Sequence, residues 1–338
     1  MPLVVPLKMA EAAKINAPHV STPRRAPVEF TLGADPEFLL SKEGNVVDSE
    51  DALGSRDLES PFGGDIGGVL TEVRPAPSQD PIVVARNIHS IFSATMRDKP
   101  NLVKDYSWIA GSYNGGVPNN GVPMGGHIHF GGLGSESQPR CRYLSIDTAN
   151  SVLDNYVGAV SLLIEDPQEG KARRDHIHRG QNGVYRYGRP SDRRPNAWGW
   201  EYRTPSSWLV SPSVAAAMLC LAKTVIYEAV NNPAFSFGQY TTRDNFLKME
   251  THALRAKRFP LIWRDIGKMM LYPNHKQHLD FIHHLITNRL SWFPKAKSMK
   301  QAWGVVGDSI KPLVFRGAGE AYTPIPETGA RGAVAAGR

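Results

Sequence analysis

The sequence predicts an α+β fold: a single domain over residues 27–310, in which an antiparallel sheet carries the charged residues and helices pack on its outer face. Two observations lead there. Short runs alternate with period two, setting apolar side chains on one face and acids, histidines or arginines on the other, as in a strand with one buried face. These runs lie far apart, in the order strand, strand, helix, strand, helix, strand, helix, so motifs that belong together must be gathered by strand pairing. No period of about 20 to 50 residues recurs, which argues against a solenoid.

Residues 1–26 mix Pro, Ala and Lys/Arg without periodicity and read as a flexible arm. From Val28 to Leu40 runs the first strand. Val28, Phe30, Leu32, Ala34, Phe38 and Leu40 alternate with Glu29, Thr31, Asp35 and Glu37, and Leu39 alone is out of step. A connection from Ser41 to Gly68 ends in Phe62-Gly63-Gly64-Asp65-Ile66-Gly67-Gly68, where paired glycines permit close backbone approach to a ligand. Val69 to Arg74 is a second strand, stopped by Pro75 and Pro77, with Glu72 and Arg74 on one face. Asp80-Pro81 opens a helix that continues from Ile82 to Met96. After a Gly/Pro/Asn-rich loop, Gly126 to Phe130 is a short strand with His127 and His129 together. Arg142 to Glu165 reads as a long helix, followed by an irregular basic segment that ends in the strand Trp198 to Arg203, with Glu201 and Arg203 sharing a face. Ser211-Pro212 caps another helix reaching Asn231, and helical spacing prevails from about residue 211 to Ser298. Residues 311–338 are rich in Gly, Ala and Pro, lack a core pattern and read as a mobile tail.

With 338 residues, 41% apolar and 21% charged, the chain has the material of a large globular core. No unbroken run approaches 18 apolar residues and the first residues lack the apolar stretch of a secretion signal, so a cytoplasmic protein with no membrane partner is expected. Cys141 and Cys220, in helix-like surroundings, fit buried thiols rather than a disulfide framework. The net charge of +7 is concentrated: from Lys171 to Arg203 there are nine Lys/Arg against three acids. Basic residues gathered beside carboxylates favour a polyphosphate ligand over a diffuse nucleic-acid face.

Asp35 and Glu37, about 7 Å apart on one strand face, repel unless a proton or cation sits between them, and a hard ion such as Mg²⁺ or Mn²⁺ wants such oxygens. An exposed acidic face is the plainer alternative. Glu72 with Arg74 is a cleft element or a cross-strand ion pair. His127 and His129 supply half of a metal site, or are ordinary core or surface histidines. His176-Ile177-His178 repeats that spacing inside the charged segment and is expected to be without function. Arg186, Arg189, Arg193, Arg194 and Arg203 offer forks for phosphate oxygens, or serve solubility and ion pairing. There is no GxxxxGK[ST], no GxGxxG opening a helix and no GxSxG.

Taken in order, Gly33-Ala34-Asp35-Pro36-Glu37-Phe38, Glu72-Val73-Arg74-Pro75, Gly125-Gly126-His127-Ile128-His129-Phe130-Gly131, Tyr187-Gly188 with Arg193, and Gly199-Trp200-Glu201-Tyr202-Arg203-Thr204 resemble the carboxylate–amine ligases of the glutamine synthetase fold. The resemblance is greatest to the phage-type amidoligases, the COOH-NH2 ligase type 2 group, and spans about residues 30 to 210. It implies a curved antiparallel sheet of the glutamine synthetase catalytic type, whose inner face holds ATP and two or more Mg²⁺ or Mn²⁺ ions. It further implies that a carboxylate attacks the γ-phosphate of ATP and that an amine traps the acyl phosphate. The carboxylate and amine substrates include peptide- or protein-borne ones, and the setting is the host cytoplasm if the protein is phage-encoded. Carried over by position, Glu37 is the first-strand ligand with Asp35 beside it, and Glu72, His127 and Glu201 complete the metal set. His129, Arg186, Arg193 and Arg203 would face the phosphates of ATP or the acyl phosphate. Asp35 and Pro36 stand where two glutamates are usual, and Arg194 beside Arg193 leaves open which of them faces phosphate. The competing readings are a metal-dependent hydrolase using the same acids and histidines, and a non-catalytic basic phage protein that binds nucleic acid or a virion surface.

Overall fold

The structure, a computed structural model, describes residues 26–54, 59–65, 68–116, 121–134, 140–141, 144–179, 187–272, 274–288, 299–307 and 309–317. The arm at residues 1–25, Arg186, residues 289–298 of the C-terminal helical stretch and the tail from 318 lie outside them.

In chain order the first elements are β1 (Thr31–Ala34), β2 (Glu37–Lys42), β3 (Asn45–Val46), α1 (Ser49–Leu53), β4 (Phe62–Gly64) and β5 (Leu70–Val73). Next come α2 (Pro81–Asp98), α3 (Pro100–Lys104), β6 (Ser107–Ile109), β7 (Tyr113–Asn114), β8 (Val122–Pro123) and β9 (Ile128–Gly131). After β10 (Arg140–Cys141) and β11 (Leu144–Ser145), α4 (Ile146–Leu153) passes through a π-helical turn, Asp154–Gly158, into α5 (Ala159–Ile164). Helix α6 (Pro167–Arg179), β12 (Arg193–Asn196), β13 (Gly199–Tyr202) and α7 (Pro212–Asn231) follow.

All strand pairs are antiparallel, and the expected sheet is divided in two. One has the order β1-β9-β13-β12; the other has β3-β2-β5-β4 with β6 also on β2. The single first strand expected from Val28 to Leu40 is corrected: β1 and β2 belong to different sheets, and the chain crosses between them at Asp35-Pro36. Proline has no amide hydrogen to give a ladder, so a strand change at Pro36 leaves no donor stranded. The change also accounts for Leu39. It lies with Leu70 and Met124 in a small second cluster, while Phe38 joins the main core, so β2 is buried on both faces and needs no alternation.

Behind the first sheet, Phe30 packs tilted on Phe130, which stacks on Trp200, with ring centroids 6.1 and 4.9 Å apart. Behind the second, Trp108 contacts Phe38, Phe62 and Phe92 at 5.8, 5.4 and 5.1 Å. Each such side chain contributes about 2 kcal/mol by leaving water. Helix α7 runs through the middle of this core and packs on α2 and α4. It has the length and hydropathy of a membrane span, which a count of unbroken apolar runs misses, yet 94% of that window is buried inside the protein. Cys220 sits in it as a buried free thiol, whereas Cys141 lies on a strand rather than a helix.

The long helix begins at Ile146 instead of Arg142, because Ser145 caps it by accepting from the Thr148 amide. Its π turn rotates Asp154 and Asn155 inward. Asp154 accepts from Tyr202 and Ser191, and Asn155 Oδ1 accepts the amides of Tyr240 and Thr241. The basic segment is likewise not irregular throughout, since residues 167–179 form α6 and carry His176 and His178 on a helix. Past residue 310 the chain stays on the domain. Leu313 and Phe315 pack against the core, and the Arg316 amide donates to Ser213 Oγ.

Candidate active site

Register builds the site. Across the first sheet Gly33 opposes His129, His129 opposes Glu201, and Glu201 opposes Arg194, so three functional side chains stand abreast on the face turned away from the aromatic core. Asp35 leaves the end of β1 at the same edge. His127, just before β9, fills the space between: its Nδ1 is 3.1 Å from Asp35 Oδ1 and 3.2 Å from Glu201 Oε1. His129 Nε2 is 3.0 Å from Asp35 Oδ1. Arg194 Nη2 and Arg203 Nε flank Glu201 at 2.6 and 3.0 Å.

The second sheet brings a second set of acids. Glu37 on β2 directly opposes Glu72 on β5, which opposes Gly63 on β4, and Asp65 follows β4. Like charges facing across a ladder are destabilising, and Arg74 Nη2, 2.8 Å from Glu72 Oε2, offsets this in part. The same arginine is fixed by donating to the carbonyls of Ser60 and Gly64. Two three-residue groups therefore result, Asp35/His127/Glu201 and Glu37/Asp65/Glu72, each with potential ligand atoms within 4.8 Å of one another. The neighbours Asp35 and Glu37 are not one pair, as period two suggests, but members of two clusters. His127 joins them, its Nε2 lying 3.8 Å from Glu37 Oε1.

Burial sets the electrostatics. It pushes the Glu37 carboxyl up to about 7, against the pull of His127, Tyr187 and the Gly125 amide. Burial, then Asp35 and Asp65, raise Glu72 to about 9 despite Arg74. Burial disfavours the His127 cation, but Asp35 and Glu37 outweigh it and raise that imidazole to about 10. Asp35 would also be raised by burial, yet His129 and His127 hold it well below the usual carboxylate range.

Divalent ions fit this arrangement. Glu37 Oε1, His127 Nε2 and both Glu201 oxygens are shielded from solvent and lack aligned hydrogen-bond partners. Glu37 Oε1 and His127 Nε2 face each other across 3.8 Å, where the two clusters meet.

Of the residues picked from sequence, Asp35, Glu37, Glu72, His127, His129, Glu201 and Arg203 converge. Arg193 does not: Arg193 and Arg194 point to opposite faces of β12, and Arg193 Nη2 pairs with Asp147 at 2.6 Å. Arg194 is the one at the acids. Two contributors went unassigned in the sequence. Asp65 carries a signal, a lone carboxylate between two glycine pairs. Tyr187 donates a short hydrogen bond to Glu37 Oε2 and lies under the Arg203 guanidinium, 4.9 Å from the ring centre. Gly125 makes room for this contact; a Cβ there would lie 2.2 Å from Tyr187 Oη and 2.3 Å from His127 Nε2.

Antiparallel sheets backed by helices, with acids, histidines and arginines on the open face, set the chain among proteins built like the ligases of glutamine synthetase type. More particularly, the family described as phage phiEco32-like COOH.NH2 ligase-type 2 matches residues 32–305, and the chain belongs to that family. The fold is similar to that in the complex of the prokaryotic ubiquitin-like protein Pup with its ligase PafA, with TM-score 0.51 and 9% identity over 77% of this chain and 64% of that one. A bifunctional glutathione synthetase from Pasteurella multocida matches with TM-score 0.44 and 12% identity, over 81% of this chain and 52% of that one. The chain thus spans less than two thirds of either of these two proteins. A search among curated proteins gave no match.

Proposed function

We propose that the protein is an ATP-dependent carboxylate–amine ligase that forms an amide or peptide-like bond through an acyl phosphate. One observation carries the reading: two buried acid clusters, bridged by His127 and rimmed by Arg74, Arg194 and Arg203, meet at the junction of two sheets. Such a concentration of buried carboxylates has a purpose if Mg²⁺ or Mn²⁺ neutralises them and, when bound, draws charge from the phosphates of ATP. Asp35, His127 and Glu201 would hold one ion, and Glu37, Asp65 and Glu72 another. Arg194 and Arg203 lie where they can neutralise a tetra-anionic nucleotide as it meets a carboxylate, an approach that Coulomb repulsion otherwise forbids.

In the reaction a carboxylate oxygen of the acid substrate bonds to the γ-phosphorus and ADP departs with the bridging oxygen. The amine then attacks the acyl carbon, phosphate leaves, and the amine loses a proton. Tyr187 keeps its proton, since burial and then Glu37 hold its hydroxyl well above the usual range, and so it orients Glu37 as a donor. The Pup ligase of similar fold joins a protein partner, which supports peptide- or protein-borne substrates here.

ADP release that requires Mg²⁺, a carboxylate and an amine, with hydroxylamine converting the acid to a hydroxamate, is the expected result. Metal-dependent hydrolysis of an amide without nucleotide would replace this reading by the hydrolase one.

A further inference from the structure

A cavity of about 480 Å³ lies on the face of β12 opposite the acid clusters, lined by Asp147, Arg189, Ser191, Asp192, Arg193 and two prolines. Its two cations differ in their partners. Arg193 is tied to Asp147, whose side chain is 72% exposed. Arg189 has no acid in ion-pair range among the described residues, and its Nε and Nη2 are shielded from solvent without a hydrogen-bond partner. Its backbone is nevertheless anchored, the carbonyl accepting from Thr204 Oγ1 at 2.8 Å and from the Asp192 amide at 3.0 Å. Ser191 is held in the left-handed region, φ 60°, with its hydroxyl donating to Asp154. Asp192 does not serve as counter-ion, since its Oδ2 accepts the Gly188 amide and its charged neighbours are Arg203, His127 and Arg173.

A guanidinium edge withdrawn from water without a partner is costly, and a backbone this constrained to hold one asks for a reason. The Nε–Nη2 edge is the one that matches two oxygens of a carboxylate or phosphate side by side. We propose that this cavity is an oxyanion-binding site, separate from the acid clusters, in which Arg189 grips a carboxylate or phosphoryl group and Arg193 joins it by releasing Asp147. A turn about the terminal torsion of Arg189 brings its free edge to the ligand. Because β12 is the edge strand of its sheet, one extended molecule can reach both faces around it.

The test is calorimetric titration of the full chain, without nucleotide or metal, using inorganic phosphate and glutarate as probes. At least one probe should bind saturably, and Arg189→Gln should weaken it by about tenfold or more, the worth of a charged hydrogen-bonded pair. Asp147→Asn should tighten it by about twofold to fivefold by freeing Arg193, a change of sign that a damaged fold does not produce. Arg74→Gln, beside the other sheet and partnered by Glu72 and the carbonyls of Ser60 and Gly64, should leave it within about twofold. Tighter phosphate assigns a phosphoryl group to the site, and tighter glutarate a carboxylate. Absence of saturable binding by both probes, or equal affinity in wild type and Arg189→Gln, overturns the proposal. Neither result depends on ligase activity, so failure here is distinct from failure of the catalytic reading.

Discussion

At the residue scale, the acids are set where only cations can reconcile them. Mg²⁺ or Mn²⁺ at 100 times its dissociation constant should stabilise the chain by about 2.7 kcal/mol, raising the melting temperature by about 4 °C. Glu37→Gln and Glu201→Gln each remove a charged ligand from one cluster, and each should diminish that shift while the protein stays folded. An undiminished shift in both, read by thermal denaturation, would show that the clusters hold no ion. Arg203→Ala should lower kcat for phosphoryl transfer more than it raises KM for ATP, because the guanidinium stands beside Glu201 and Tyr187 where charge develops. Gly125→Ala drives a methyl into Tyr187 and His127, and should weaken metal binding by about tenfold or more through Glu37 and His127 together.

At the scale of elements, the π turn puts a pH-sensitive post behind the catalytic sheet. Burial raises the Asp154 carboxyl to about 6, despite hydrogen bonds from Tyr202 and Ser191. Its unfolded value is near 3.8, so the folded chain holds the proton longer. The group favours folding at low pH, and that contribution of about 3 kcal/mol is lost as pH rises through the window from about 4 to 6. Asp154→Asn cannot titrate. The stability difference between wild type and variant, from denaturant unfolding, should therefore fall across that window and be flat above it; a constant difference would count against a protonated Asp154. Helices were read well where caps were explicit, as at Asp80-Pro81 and Ser211-Pro212. The first strand was misjudged because alternation does not report which sheet a residue joins. Leu39 was the visible clue, an apolar residue out of phase where β2 is covered on both sides.

For the whole molecule, the site was legible as a set of residue types but not as a geometry. Glu37, Glu72, His127 and Glu201 could be chosen from period-two spacing and family likeness, whereas the division into two clusters depends on register. Asp65 follows its strand in a Gly-rich turn with no periodic pattern, and Arg193 against Arg194 is decided by the facing of an edge strand. Of the segment after residue 310, residues 311–317 lie on the domain, with Phe315 5.2 Å from the His278 ring; two apolar residues, Leu313 and Phe315, are too few to form a pattern in the sequence. Deleting residues 311–338 should cost about 2 kcal/mol of stability, measurable as a lower denaturant midpoint.

The crossing at Asp35-Pro36 has a kinetic corollary. Since β1 finds its partner only at β9, and β9 its other partner only at β13, the Asp35/His127/Glu201 cluster cannot close before Glu201 has been made and paired, whereas Glu37, Asp65 and Glu72 meet within one local sheet. Pairings this distant in the chain are slow to form, and during synthesis the acids of residues 35 to 72 wait without their histidine or their arginines. An amino-terminal fragment ending before residue 193 should therefore lack the ion site of Asp35, His127 and Glu201 and bind fewer Mg²⁺ ions than the whole chain, and in the intact chain recovery of full metal affinity on refolding should coincide with the slowest phase.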